Sequence, residues 1–583
     1  MGERLLQGLP ASPGIAAGPA RVLAAAAVGG AVLPEAERPE ALERARAALA
    51  AAGAELASVA ERLRGEGRVD EAEIVETGVL MAEDSALGGA LEGAVLRAGR
   101  PAPAALVESA DAMAETIASL GDERLAARAD DVRSLGRRAA RLAATGADPA
   151  SFAAASAAAA STAAGSAAGS SAAVVLVADE LGPADVAELG DGVAGVVLAG
   201  GSPTAHAAVV ARGLGIPMVV GLGPDVLGAR DGEPVSLDGT SGAAALDPSP
   251  PRLANARAAM TARRADADRA RAGATLPSVT RDGHHVRVLL NAATPAELAT
   301  GLDAGAEGVG LLRTELAFLD APDWPGEAEH RRALAPLLGR LGGRTATVRV
   351  LDFGGDKTPP FLHGVAARGL ALLLGAPDAL AAQLRAIVAE GVGTELRVLL
   401  PLAERAEDVE RVRALLPRRV QLGGMIETRA AIARARELAA AADFLSIGTN
   451  DLTHAVLGTD RFGAGVAAAT HEPRVLAGIA AVAHAARSAG RTLEVCGEAA
   501  SDPVLVPLLV GLGVGELSVG AARVAAVRAQ VRELDLARAE QLSRRALAAP
   551  DADAVAALVR EAADAAGEGL DRAGRVVPVG PQA

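Results

Sequence analysis

Aromatic side chains are nearly missing from this 583-residue chain, which has six Phe, one Trp and no Tyr. With no set of rings on which bases could stack, and with a formal net charge of −15, the sequence argues against nucleic-acid binding. Cysteine occurs once, at Cys496, which excludes an internal disulfide and a cysteine-based zinc site. That thiol is either a small buried hydrophobe or a reactive group. Long charge-free runs of large apolar residues are also absent, and Met1-Gly2-Glu3-Arg4-Leu5-Leu6 has no basic segment leading into an apolar one. Membrane insertion is therefore not expected, and a cytoplasmic location is. Lysine is as scarce as cysteine: Lys357 is the single lysine among 57 basic residues. Arginine replaces lysine wherever a planar five-donor fork serves, so one retained ammonium beside Gly354-Gly355-Asp356 marks either a strand end that meets an anion or an accident of composition.

What remains is 50% apolar and 22% charged, ordinary for soluble globular protein, and long enough for three or four domains with cores of Ala, Val and Leu. After the turn-rich Ala11-Ser12-Pro13-Gly14, residues 36–145 carry Ala, Leu, Glu and Arg at helical spacing and predict a helical bundle. Within it, eight acids and one Arg lie between Glu66 and Glu92, which reads as a solvated face or as a surface for a basic protein. Residues 148–173, rich in Ser, Ala and Gly, predict a flexible connector. Short buried-type strands near Val174, Val193 and Pro217 alternate with helical stretches and predict a compact α/β domain. Residues 250–273 predict a linker helix.

From residue 284 onward, eight apolar strand candidates recur with helices between them: Val286–Leu290, Gly308–Leu312, Thr347–Leu351, Glu395–Leu400, Gln421–Ile426, Phe444–Ile447, Leu493–Cys496 and Glu516–Val519. That rhythm predicts a (β/α)8 barrel, whose chemistry collects on the loops after the strands. Arg313, Arg349 and Lys357 would place several cations at one mouth, with Arg461 shortly after Asp451, and such a cluster suits a small polyanion. Glu427 and Asp451 follow consecutive strands, so they either converge as two hard oxygen ligands for Mg2+ or pair with the arginines. Asn450 could donate an amide hydrogen bond to a ligand.

A second constellation is Gly200-Gly201-Ser202-Pro203-Thr204-Ala205-His206, where a tight loop delivers a histidine to the start of an apolar helix. No neighbouring His or Cys completes a metal set there. A helix N-terminus favours negative charge, so His206 is either a structural histidine or one that carries a phosphoryl group.

Four separated segments carry a resemblance: Ala11-Ser12-Pro13-Gly14-Ile15-Ala16; Pro203-Thr204-Ala205-His206 with Ala211-Arg212 and Gly215-Ile216-Pro217; Gly305 through Glu315; and Ser446-Ile447-Gly448-Thr449-Asn450-Asp451-Leu452-Thr453. Together they resemble the Enzyme I family of the phosphoenolpyruvate-dependent sugar phosphotransferase system over nearly the whole chain. The resemblance implies an α/β multidomain protein. A swivelling phosphohistidine domain would comprise 1–22 and 148–249, and an inserted helical domain at 23–147 would bind the phosphocarrier. A linker helix would occupy 250–273. A (β/α)8 barrel at 274–583 would bind phosphoenolpyruvate and form a homodimer. His206 would take the phosphoryl group from phosphoenolpyruvate, release pyruvate, and pass the group to a small histidine-containing phosphocarrier protein, as the first step of sugar uptake. Arg313, Arg349, Asn450, Asp451 and Arg461 would hold the substrate, with Lys357 and Arg368 around its phosphate. Glu427 and Asp451 would bind Mg2+. Cys496 would protonate the enolate, a role suited to a thiol titrating near neutrality.

The sequence departs from that family in places. Pro203 and Ala205 stand in the histidine loop, Ala205 where a Ser is usual, one arginine, Arg368, stands where two are usual, and Gly78 replaces a histidine in the helical region. A pyruvate dikinase or phosphoenolpyruvate synthase shares the histidine domain and barrel but needs a large nucleotide-binding domain, and the 205 residues before His206 contain no Gly-rich phosphate loop with a lysine. A paralogue that senses phosphoenolpyruvate without transferring phosphate is the non-enzymatic alternative.

Overall fold

The computed structural model describes residues 2–23, 31–65, 68–119, 123–145, 173–190, 192–203, 205–354, 358–459, 470–565, 568–570 and 576–578. The 148–173 connector, save residue 173, lies outside them, as do Thr204, Lys357 and Arg461. The described chain forms two compact units, Met1–Arg264 and Ala265–Ala583.

In the first unit, β1 (Arg4–Gln7), β2 (Leu9–Ser12), β3 (Ile15–Val22), β4 (Val174–Ala178), β5 (Val193–Leu198), β6 (Met218–Val220), β7 (Pro234–Asp238) and β8 (Ala243–Leu246) make one mixed sheet. Its order is β1-β8-β7-β3-β4-β5-β6-β2. The central strands β3 to β6 are parallel, and antiparallel pairs finish both edges. Because side chains alternate across a sheet, the apolar runs of β4 to β6 supply two cores. Val175, Val177, Val197 and Val219 pack on one face with β7 and β8, while Leu176, Val196, Leu198, Met218 and Val220 pack on the other.

That second face is shared with the helices α1 (Arg38–Gly65), α2 (Val69–Ala82), α3 (Ser85–Glu92), α4 (Ala102–Ala118) and α5 (Glu123–Thr145), whose buried Ala and Leu belong to the same cluster. Small residues let these helices approach closely. A Cβ at Gly78 would lie 2.7 Å from Leu56 Cδ1, so a larger side chain there would have to shift the Leu56 side chain of α1. A buried arginine of α5 also joins α1 to the short helix Pro183–Ala187: Arg138 is 3% exposed and bonds Glu55, Asp185 and Glu188 at 3.0, 2.9 and 2.6 Å. Removing one member of such a buried network costs about 3–5 kcal/mol, because its partners stay buried and uncompensated. Three acids of the stretch have local partners: Glu76 pairs with Arg64, Glu92 lies 2.9 Å from Arg46, and Asp84 caps α3 by accepting from the Ala86 N–H.

In the second unit, β9 (Arg287–Ala292), β10 (Gly308–Leu312), β11 (Thr345–Arg349), β12 (Glu395–Leu400), β13 (Gln421–Ile426), β14 (Phe444–Gly448), β15 (Thr492–Cys496) and β16 (Glu516–Gly520) close into a parallel barrel. All eight expected strands are there, with ends shifted by a residue or two. Closure runs from Glu516↔Arg287 to Gly520↔Asn291. Outward residues such as Val348, Leu400, Leu445 and Val495 form the large apolar shell under the helices. The lumen is unusual in holding charge among its apolar residues. Arg397 forks onto Glu516 at 2.6 and 3.2 Å, and Phe444 lies beneath its guanidinium at 5.2 Å.

Candidate functional site

The chemistry-bearing residues fall into two clusters, one in each unit. In the first, β5 ends at Leu198 and the loop from Ala199 turns into the helix α6 (His206–Leu214), which stops at Gly215 in a left-handed cap at φ 69°. Ala205 occupies the N-cap and has no oxygen with which to cap. A helix N-terminus favours negative charge, and His206 is the first residue of this one. Arg212, one helical turn or more along α6, ties the loop down by donating to the carbonyls of Ala11 and Pro203 at 2.6 and 3.0 Å.

His206 is not alone. Its Nδ1 lies 2.7 Å from Oδ2 of Asp131 on α5, and Asp131 is itself 6% exposed. A carboxylate at Nδ1 fixes the proton there and leaves the lone pair on Nε2, which makes Nε2 the nucleophilic atom. The His206 side chain keeps 20% of its surface exposed. Sequence reasoning missed Asp131. The available signal was an acid on the buried stripe of α5, flanked by Ala129, Val132 and Leu135, a position that wants a partner. Arg137 and Glu180, 2.9 Å apart, line the same depression.

The second cluster sits at the C-terminal ends of the barrel strands. Arg349, at the end of β11, is 6% exposed and engaged on both sides, with Glu315 and Asp352 each at 2.7 Å. Burial alone would lower the pKa of its guanidinium, but Glu315, Asp352 and Glu427 outweigh that and hold it above the ordinary arginine value. Thr314 and Gln383 brace the turn: the Thr314 hydroxyl donates to the Arg349 carbonyl at 2.9 Å, and the Gln383 amide donates to Thr314 at 3.0 Å. Arg313 follows β10 and is half-buried. Arg368 is exposed and precedes the helix Gly369–Leu374, where Gly354 at φ 138° leaves room for it, since a Cβ there would lie 2.5 Å from Arg368 Cβ.

Glu427 follows β13, is 4% exposed, and accepts the Leu402 N–H at 3.0 Å. Burial, then the Asp352 charge, pushes its carboxyl up to about 8, with Asp451 adding to the rise and Arg349 opposing it. Asp451 lies in the first turn of the helix Thr449–Leu457, and Asn450 beside it accepts the Glu498 N–H at 3.1 Å. The acceptor end of that amide is thus used, and its NH2 end is the part that can donate. Among the described residues no three His, Cys, Asp or Glu gather as a metal cage. The buried Glu427 carboxyl, raised by burial and neighbouring acids, together with Asp451 supplies two hard oxygen ligands that do fit Mg2+, which keeps waters and substrate oxygens in its remaining positions.

Cys496 ends β15, 2% exposed, with its sulfur 3.5 Å from the Ile447 carbonyl and 3.6 Å from the Ser446 hydroxyl. Burial, then Glu494, pushes its thiol up to about 12. The expectation of a thiol titrating near neutrality is corrected: in this lumen a thiolate faces carboxyls and little water, so the group stays protonated. Gly497, at φ 93°, lets the chain turn under Thr449 and Asn450, where a Cβ would come within 2.5 Å of Thr449 Oγ1. The structure therefore gathers Arg313, Arg349, Glu427, Asn450, Asp451 and Cys496 around one barrel end and places His206 in the other unit.

Comparison with known proteins follows this division. The family described as PEP-utilising enzyme, PEP-binding domain, matches residues 267–536; the PEP-utilising enzyme mobile domain matches 170–242; and the PEP-utilising enzyme N-terminal family matches 7–128. A phosphoenolpyruvate-protein phosphotransferase of Streptomyces coelicolor is 35% identical over 94% of this chain and 98% of its own length. One of Haloferax volcanii is 35% identical over 86% of this chain and 89% of its own. A multiphosphoryl transfer protein of Xanthomonas campestris is 37% identical over 77% of this chain, and the chain spans 54% of that relative. It thus covers about half the length of such multiphosphoryl transfer proteins.

Proposed function

The chain belongs to the phosphoenolpyruvate-protein phosphotransferase family, and from that premise we propose that it moves the phosphoryl group of phosphoenolpyruvate onto Nε2 of His206 and then to a small histidine-containing phosphocarrier protein. The observation that carries this reading is the 2.7 Å contact between His206 Nδ1 and buried Asp131, which leaves one ring nitrogen free at a helix N-terminus. In the transfer, the P–O bond of the substrate breaks as the P–N bond to Nε2 forms. Nδ1 keeps its proton, and Asp131 offsets the positive charge the ring acquires. Little other covalent chemistry is needed, so positioning and charge stabilisation dominate.

At the barrel mouth, Arg313, Asn450, Arg368, Lys357 and Arg461 hold the substrate carboxylate and phosphate, while Arg349, fixed by Glu315 and Asp352, presents a rigid fork. Glu427 and Asp451 would hold Mg2+. When bound, the ion would draw charge from the phosphate and carboxylate oxygens. The enolate that remains takes a proton at carbon from the Cys496 thiol, and pyruvate leaves.

His206 serves two partners. Residues 1–22 and 148–249 then act as the swivelling carrier of the histidine, 23–147 as the docking surface for the phosphocarrier, 250–273 as the linker, and 274–583 as the substrate-binding and dimerising barrel. The protein would work in the cytoplasm at the head of sugar uptake; no helix among the described residues is long and apolar enough to cross a membrane. The test is labelling of the purified chain with radioactive phosphoenolpyruvate and Mg2+. Acid-labile label on His206 that passes to a phosphocarrier supports the reading. Tight binding of phosphoenolpyruvate with no label would reduce the chain to a sensor.

A further inference from the structure

Glu494 sits in the barrel lumen one inward position below Cys496 on β15, wholly buried, and neither of its carboxyl oxygens completes a hydrogen bond of good geometry. A buried acid so placed ordinarily demands a cation. The nearest arginine, Arg397, is already forked onto Glu516 of β16, and Arg287 of β9 donates to the same Glu516 at 3.2 Å. From β10 the carboxyl faces Gly310, where a Cβ would lie 2.9 Å from Glu494 Oε1. The room that a side chain of that strand would take is filled by Glu494 and by Ser518 of β16, whose Oγ would lie 2.5 Å from the same Cβ. From β14 it faces Ser446, its register partner in the β14–β15 pairing, whose hydroxyl donates toward Cys496 Sγ at 3.6 Å. Burial, then the Glu516 charge, drives Glu494 well above the ordinary carboxyl range against the pull of Arg397, Ser446 and Arg287, so it stands as a neutral acid.

We propose that Glu494 is a relay residue, returning a proton to Cys496 through the Ser446 hydroxyl once the thiol has protonated the enolate. The inference rests on the functional reading above. When the S–H proton goes to the enolate carbon, Cys496 becomes a thiolate. The Ser446 O–H proton moves to sulfur while the Glu494 O–H proton moves to the Ser446 oxygen, and Glu494 becomes a carboxylate. After pyruvate leaves, solvent water at the mouth protonates Cys496 as its former proton passes back through Ser446 to Glu494. One solvent proton is consumed for each enolate.

The test uses the full chain with Mg2+ and pyruvate in deuterated water, following deuterium entry into the pyruvate methyl group by proton NMR. Phosphohistidine formation from phosphoenolpyruvate is measured separately in a single turnover. Glu494→Gln keeps the shape and removes the acidic proton, and it should slow methyl exchange about 10- to 100-fold while phosphohistidine formation falls by much less. Ser446→Ala, which leaves the carboxyl in place, should give the same split, and it decides the matter should the Gln variant fail to fold. Of the protonated-carboxyl infrared intensity of the wild-type chain at neutral pH, the part that persists when Mg2+ is added, and so does not come from Glu427, should be lost in Glu494→Gln. Exchange at the wild-type rate in both variants, or an equal loss in both half-reactions, would overturn the relay and leave Glu494 a structural spacer. A wild-type chain that exchanges methyl protons without forming phosphohistidine would overturn the functional reading instead and leave the relay standing. A chain that does neither overturns both.

Discussion

The His206 cluster and the barrel mouth solve opposite problems with opposite means. Around His206 there is one hydrogen-bonded carboxylate, a side chain with 20% of its surface exposed, and a lining of small and apolar residues in which Arg137 and Glu180 are paired with each other. Around Glu427 and Cys496, which are buried with Arg349 and Glu315, charge is dense, so pKa values move far from their ordinary positions. A nucleophile that must be offered to two partners cannot be enclosed by either, so it relies on orientation. A site that receives one small polyanion can be built rigid and charged beforehand.

The largest expected effect tests whether the nucleophile is as isolated as this contrast holds. His206→Ala should abolish acid-labile labelling from phosphoenolpyruvate, with an unchanged thermal transition; label persisting on another residue would end the assignment. Next in size, Glu427→Gln should lower turnover by roughly 10³-fold, as losing one arm of a preorganised charge site does. It should raise the Mg2+ concentration needed for half-maximal rate, and an unchanged metal requirement would place the ion elsewhere.

Asp131→Asn should weaken the hold on the ring's tautomer and remove the offset to its charge. We expect single-turnover phosphorylation to fall by about 100-fold, because an amide can accept from the ring without offsetting its charge. Nitrogen NMR of His206 should show the proton redistributed between the ring nitrogens. Wild-type tautomer and rate together would make Asp131 a bystander.

The smallest effect concerns acid stability and should appear only in the barrel unit. His330 is 1% exposed, stacks edge-on to Phe318, and is depressed by burial from 6.5 to about 4. Between these values the unfolded chain binds the extra proton, so the stability this residue contributes is complete above 6.5 and is lost as pH falls towards 4. Between pH 7 and pH 5 the loss should be about 2 kcal/mol. Trp324, the only tryptophan and a barrel residue, reports that unit alone by fluorescence. His330→Phe should flatten its acid response; an equal response in wild type and variant would assign the sensitivity to other groups.

Much of the fold was legible because it follows from local periodicity. The eight barrel strands are uninterrupted apolar runs between helical stretches, and only a parallel sheet covered on its outer face buries such runs. The functional ends were legible for the same reason, since residues that follow barrel strands are carried to one mouth by topology. The acidic stretch in α2 and α3 was less so. Its composition suggested a face, but pairing with Arg64 and Arg46 and the cap made by Asp84 depend on which helices meet.

What the sequence determined by itself was the order of elements, the small-residue cores, and which strand ends carry Arg313, Glu427, Asp451 and Cys496. Tertiary structure alone decided that Asp131, 75 residues before His206, would face its ring, and that Arg349 would be locked between Glu315 and Asp352. It also decided that Glu494 would stand neutral behind Cys496. The reason is physical: periodicity is set by bonded geometry and can be read along the chain, whereas a pKa or a tautomer is set by dielectric and by neighbours distant in sequence, which exist only once the chain has closed on itself.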